Sequence, residues 1–302
     1  MKPLPTWFRA VIRAASLVPP LGTAIAWRLF WMLGTPSAVR PSEREFHTSA
    51  LVGRLGDVVT YQWGSGERPV LFVHGWRSRA SRVVALASAL TTRGYTVVSF
   101  DARGHGDSAG TRTQAFEYAD AIRQLGERHG EFEAIVTHSF GTIAAFMAAR
   151  SGVRTKRIVT IAGPHDFHSV VDTFAAGVGL SPAAKRGLQR RITRWARPLD
   201  IDVWRHVVAE LDPTDTGTPL LVVHDVFDAE VALDEAMKIV EAHTGHVETL
   251  ITEGLGHNRV LTDERVIDRI VRFMNAPLDE QPGAQRDAHR TAQGDRGDGV
   301  RS

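Results

Sequence analysis

The sequence predicts an α/β fold: a mostly parallel central sheet with helices on both faces and a helical cap inserted late in the chain. Three observations carry this prediction. From Val58 to Asn275, short runs rich in β-branched and apolar residues alternate with helical patterns. The runs are continuously apolar rather than apolar at every second position, which is how strands covered on both faces read. The alternation breaks once, from Pro164 to about Thr218, where only helical patterns occur. An insertion there would hang over the carboxyl ends of the strands, where this class of sheet binds its ligands.

Residues 1–41 come first, as a basic and apolar segment. Lys2, Arg9, Arg13, Arg28 and Arg40 all precede the first acidic residue, Glu43, and Trp7, Trp27 and Trp31 lie among the apolar stretches. The uncharged window between Arg13 and Arg28 contains Pro19-Pro20 and is too short for a spanning helix, which needs roughly 20 apolar residues. Arg28 also interrupts the apolar stretch, and Thr35-Pro36-Ser37-Ala38 makes a poor cleavage site, so secretion through a signal peptide is the weaker reading. Two readings remain: an interfacial anchor with aromatic and basic residues at headgroup depth, or a helical arm packed on the domain.

Residues 42–276 hold the α/β unit. Strands are expected at Val58 to Trp63, Pro69 to His74, Thr96 to Phe100, Glu133 to Thr137, Arg157 to Ala162, Pro219 to His224 and Val247 to Thr252. Helices are expected at Ser81 to Thr92, Gln114 to Arg128, Ser139 to Arg150, Val231 to His243 and Asp263 to Asn275. Within the cap, at about 164–218, Ser181-Pro182 is an N-cap and first-turn pair. The helix it opens places Ala184, Leu188, Ile192 and Trp195 on one face, and Lys185, Arg186, Arg190, Arg191, Arg194 and Arg197 over the remainder. A basic amphipathic helix is either a solvated lid or a contact for anionic surfaces. Residues 277–302 are expected to be a disordered tail, because from Asp279 onward large apolar residues are almost absent and chain entropy goes uncompensated.

Bulk composition narrows the function classes. The 302-residue chain has no cysteine, which excludes disulfides and thiolate metal sites. A formal charge of +2 gives no reason to expect nucleic acid as a partner. The thirteen histidines include no HExxH or comparable spacing, so no metal ligands are nominated and no cofactor is expected. The absence of cysteine suits any compartment; a cytoplasmic location is the expectation, with the N-terminal segment and the basic cap helix as the surfaces expected to touch a membrane peripherally. The oligomeric state is left open.

The chemistry gathers at strand ends. Ser139, in IVTHSFGT (Ile135 to Thr142), follows one strand and opens a helix, so a sharp turn would expose its hydroxyl and aim the Phe140 amide at a developing oxyanion. Asp228 follows the Leu220 to His224 strand within HDVFDAEV, with Asp225 as its competitor, and His257 follows Val247 to Thr252 within EGLGHNRVL. A serine hydroxyl needs a base, His257, and the base needs a carboxylate to fix its tautomer, Asp228. The amide of Trp76, in HGW after Pro69 to His74, is the second expected oxyanion donor. Thr137 stands where the Gly-x-Ser-x-Gly elbow has its first glycine; its hydroxyl is expected to bond nearby backbone, tightening the packing without abolishing activity.

With these residues the chain resembles the α/β-hydrolase fold family of the esterase/lipase type. LFVHGW (Leu71 to Trp76), SFDARGHGDS (Ser99 to Ser108), VTHSFGT (Val136 to Thr142), HDVFD (His224 to Asp228) and GLGHNRVL (Gly254 to Leu261) carry the likeness, from Pro69 to about Met274. It implies the α/β-hydrolase fold, a Ser139, Asp228, His257 triad, and an oxyanion hole of the Trp76 and Phe140 amides, but not the substrate, which varies widely in the family. A complete triad beneath a basic, apolar-faced cap leads us to expect a small-molecule ester of a hydrophobic acyl group. Serine at 139 argues against dehalogenases and epoxide hydrolases, which use a carboxylate nucleophile. Thioester hydrolysis and acyl transfer use the same triad, and a catalytically inactive binding protein is the rival from another class. Gly104-x-Gly106-x-x-Ala109 superficially matches a dinucleotide fingerprint, yet no acidic residue ends the next strand to hold a ribose. Those glycines are expected to form a tight loop under the site, with His105 structural.

Overall fold

The computed structural model describes residues 6–211 and 217–278. In chain order its helices and strands are α1 (Thr6–Ala15), α2 (Pro19–Phe30), α3 (Pro41–Thr48), β1 (Leu51–Leu55), β2 (Val58–Trp63), β3 (Arg68–Val73), α4 (Val84–Thr91) and β4 (Tyr95–Asp101). Then follow α5 (Ala115–His129), β5 (Ala134–His138), α6 (Gly141–Arg150), β6 (Ile158–Ile161), α7 (Phe167–Val178), α8 (Pro182–Ala196) and α9 (Val203–His206). The last are β7 (Leu220–Asp225), α10 (Leu233–Ala242), β8 (Val247–Thr252), α11 (Gly256–Arg259) and α12 (Glu264–Asn275). The expected tail, from residue 279 onward, lies outside the described residues.

The eight strands form one sheet in the order β1-β2-β4-β3-β5-β6-β7-β8. β1–β2 and β2–β4 pair antiparallel and all other neighbours parallel. β4, β5, β6 and β7 are buried along their whole length, as their continuous apolar runs require. α4 and α12 cover one face of the sheet through Leu86, Leu90, Val266, Ile270 and Phe273. On the other face α5 packs through Tyr118, Ile122 and Leu125, at the spacing of one helical stripe. Strand order reverses between β3 and β5, so the loops after these two strands diverge and leave a crevice at the carboxyl edge.

The short helices α3 and α11 are absent from the sequence reading, and two further details depart from it. β1 is an additional edge strand, joined to β2 by a tight turn at Gly56-Asp57 in which Gly56 takes φ 56°. Its residues are mostly exposed, so no apolar run announces it. The helix expected from Ser81 starts as a 3₁₀ turn, Ala80–Val83, before α4.

The cap between β6 and β7 is helical: α7, α8 and α9 in the described part. Ser181 caps α8, its hydroxyl accepting from Ala184 N at 3.3 Å, and Ala184, Leu188 and Ile192 are buried beneath it. The N-terminal segment packs on this cap as a pair of helices. α2 runs parallel to α8: the Ser181 hydroxyl donates to Ser16 O (2.7 Å), Thr23 to Ala184 O (3.3 Å), and Trp31 meets Trp195 at 5.0 Å between ring centroids. Gly187 is required here, because a Cβ on it would lie 2.0 Å from Thr23 Oγ1. Beyond α2, the chain from Met32 to Ala38 lies along Arg77, Arg79 and Arg82, which bond the carbonyls of Met32, Ser37 and Ala38. No helix among the described residues is long and apolar enough to cross a membrane.

Candidate active site

Ser139 sits in the sharp turn between β5 and α6, with φ 53°, a left-handed conformation that costs a non-glycine residue strain. Its amide bonds Ile161 O (2.9 Å) and its carbonyl accepts from Thr142 N (3.0 Å), so flanking strand and helix hold the strain in place. The turn brings the start of α6 against the end of β3: a Cβ on Gly141 would lie 2.5 Å from Val73 O. Glycine is therefore needed two residues after Ser139. Two residues before it, Thr137 faces a different neighbour. Its hydroxyl lies 2.9 Å from the Thr142 hydroxyl and 3.2 Å from Val159 O, partners that accommodate a branched side chain.

Asp228 and His257 meet across the ends of β7 and β8. Asp228 Oδ2 accepts from His257 Nδ1 at 2.7 Å, and Oδ1 accepts from the amides of Glu230 (2.8 Å) and Val231 (3.0 Å). Burial opposes ionisation of this carboxyl, but the His257 bond and the two amides outweigh it and hold the pKa below the ordinary Asp value. Asp225 does not reach the imidazole. Its oxygens are taken by Phe227 N (3.0 Å), the Thr252 hydroxyl (2.8 Å) and Leu255 N (2.9 Å), which fasten the β8 loop to the end of β7.

The remaining side of His257 faces the elbow. The His138 ring stands 4.8 Å from the His257 ring, and its Nε2 bonds His257 O at 2.9 Å. Among the described residues no hydrogen bond joins Ser139 Oγ to His257, whose imidazole bonds Asp228. Glu230 Oε2 lies 4.0 Å from His257 Nε2, a carboxylate that nothing in the sequence singles out. Gly75 also escapes sequence reasoning, although the His-Gly dipeptide is its signal: a Cβ there would lie 2.7 Å from Ser139 Cβ.

The Trp76 amide is aimed by its own peptide plane. Gly75 O accepts from His74 Nδ1 (2.8 Å), from Ser78 N (3.2 Å) and from the Tyr118 hydroxyl (3.4 Å). His74 Nε2 accepts from Ala102 N (3.0 Å), so the proton belongs on Nδ1. A trans peptide puts N–H opposite C=O; with the carbonyl held on one side, the Trp76 N–H is held toward the other. Among the described residues neither the Trp76 nor the Phe140 amide donates a hydrogen bond. Burial lowers the His74 pKa to about 4, so it stays neutral at this task.

The glycine-rich loop after β4 lies beside these groups. Gly104 and Gly106 take φ 74° and 46°, and a Cβ on Gly106 would lie 1.9 Å from Asp101 Oδ2. His105 Nε2 accepts from Arg77 N at 3.0 Å, tying this loop to the one that carries Trp76.

Comparison with known proteins places the whole. A model of the alpha/beta hydrolase family matches residues 70–271. The chain belongs to this family. It is similar in fold to an esterase from Pyrococcus furiosus (TM-score 0.55, 18% identity, 83% of this chain and 98% of that one). An esterase from Exiguobacterium antarcticum is alike in the same way (TM-score 0.53, 17% identity, 72% and 96%). A non-haem haloperoxidase from Rhodococcus erythropolis is 47% identical over 104 residues, 33% of this chain. That match spans only 38% of the haloperoxidase's length. Within this family fold, the ends of β3, β5, β7 and β8 carry the groups described above.

Proposed function

We propose that this α/β hydrolase is a serine esterase that cleaves a carboxylic ester of a hydrophobic acyl group through an acyl-enzyme. The observation that carries the reading is the 2.7 Å bond from His257 Nδ1 to the buried Asp228, at the same sheet edge as a serine held at positive φ.

In this reading Ser139 Oγ attacks the acyl carbonyl and its proton passes to His257 Nε2, while Asp228 stabilises the imidazolium through Nδ1. The negative charge grows on the carbonyl oxygen, toward the undonated Trp76 and Phe140 amides. Collapse of the adduct expels the alcohol, which leaves with the proton from Nε2. Water then loses a proton to His257 as it attacks the acyl-serine; collapse of that adduct breaks the acyl–Oγ bond, Nε2 returns the proton to Ser139 Oγ, and the acid leaves. An apolar acyl chain suits the surroundings: the Trp76 and Phe140 rings meet at 5.2 Å, and Phe30, Phe167 and Phe174 of arm and cap join the same apolar cluster.

A panel of nitrophenyl esters and acyl-CoA thioesters, from acetyl to palmitoyl, tests the substrate class. Oxygen-ester turnover favouring longer chains, abolished by Ser139→Ala, is expected; inertness toward the whole panel contradicts the esterase. The same acyl-serine would serve a second reading, in which an acceptor other than water takes the acyl group. Product analysis with competing nucleophiles separates the two.

A further inference from the structure

The outer layer of the molecule pairs an exposed apolar corner with an unneutralised row of arginines. Trp7 and Val11, four residues apart on α1, are 67% and 56% exposed. The corner into α2 continues the row with Leu17 (78%), Val18 and Leu21. Backbone bonds from Leu17 N to Ala14 O (3.1 Å) and Val18 N to Ala15 O (3.2 Å) lead the chain from α1 into the corner. Against it lies α8, whose buried side (Ala184, Leu188, Ile192) faces the core and whose opposite side presents Arg186, Arg190, Arg194 and Arg197. None of these four has an ion pair among the described residues; only Lys185 does, with Asp172. α2 and α8 sit parallel over the same apolar cluster, so their outward sides belong to one layer.

We propose that this layer docks on a bilayer carrying anionic lipids. Trp7, Val11, Leu17, Val18 and Leu21 enter at headgroup depth, and the α8 arginines meet the lipid phosphates. Charge complementarity argues for this occupant: no acidic residue precedes Glu43, α8 carries none, and yet the chain as a whole is only +2. A nucleic acid would match the arginines and leave the apolar corner in water; a lipid surface takes both. The surface also bears on the catalytic reading. The chain leaving α2 bonds Arg77, Arg79 and Arg82, directly after the proposed oxyanion residue Trp76, so a docked arm sets acyl esters of the bilayer beside the site. Substrate delivery rests on the esterase reading; lipid binding does not.

The test is co-sedimentation of the full chain with phosphatidylcholine vesicles, with and without phosphatidylglycerol. Binding is expected only to the anionic vesicles, weakening with salt as surface charge is screened. Leu17→Asp with Val18→Asp should abolish it, and Arg186→Glu with Arg190→Glu should weaken it by roughly twenty-fold or more. All four positions are exposed and outside the proposed site, so melting temperature and turnover of nitrophenyl acetate should stay at the wild-type level. Equal binding to neutral vesicles, no binding at all, or variants that bind like the wild type would overturn the proposal. Vesicle binding without ester turnover would sink the esterase reading alone.

Discussion

At the scale of single residues, two acids three positions apart are distinguished by what already occupies their oxygens. Asp225 is saturated by Phe227 N, Thr252 and Leu255 N, whereas Asp228 has Oδ2 on His257. Asp228→Asn is expected to lower kcat by about 10⁴ with little change in melting temperature, because the imidazole loses its correct tautomer. Asp225→Asn should instead lower the melting temperature; kinetics and calorimetry on the same pair decide it. Thr137→Gly is expected to bring no gain in turnover, because the close backbone approach is at Gly141 and Thr137 already has two partners. A sharp rise would show that the missing glycine matters. The order serine, acid, histidine after β5, β7 and β8 was legible in the sequence, and it is what separates the proposed chemistry from a merely capping serine. Glu230 and Gly75 were not legible, because the neighbour each meets, His257 or Ser139, lies more than twenty residues away in the chain.

At the scale of elements, strands β4 to β7 could be read because burial on both faces demands continuous apolar runs, and α8 because Ser181-Pro182 announces its start. β1 could not, since an exposed edge strand carries no apolar run. Nor could the docking of α1 and α2, whose partners lie about 160 positions away, as from Ser16 to Ser181 and Thr23 to Ala184. That docking depends on small residues in the seam. Gly187→Val would drive a side chain into Thr23 and is expected to cost ~1–3 kcal/mol. Since the seam holds the arm rather than the sheet, the loss should appear as faster trypsin cleavage at Arg9, Arg13 or Arg28. Unchanged cleavage would contradict the role assigned to the seam.

At the scale of the whole molecule, folding buries histidines from several strand ends in their neutral form. Burial, helped by the charge of neighbouring rings, lowers His105 and His138 to about 3, and burial lowers His74 to about 4. An unfolded histidine takes its proton near pH ~6.5, so below that pH the unfolded chain binds protons that the native one refuses. Stability contributed this way is complete above ~6.5 and declines by ~1.4 kcal/mol per pH unit for each such histidine until its folded pKa is reached. The depressed carboxyls Asp225 and Asp228 add their loss only below the usual Asp range, near pH ~4. Urea midpoints should therefore fall clearly between pH 7 and pH 5; equal midpoints would contradict the buried neutral histidines. The same convergence of strand ends underlies the proposed catalysis, for residues 139, 228 and 257 can act together only in the folded chain. Peptide mapping after treatment with a fluorophosphonate probe tests this most directly. The account predicts one adduct, on Ser139, lost on unfolding and slowed on the order of 10⁴-fold or more by His257→Ala. Folded protein that carries no adduct on Ser139 would contradict it.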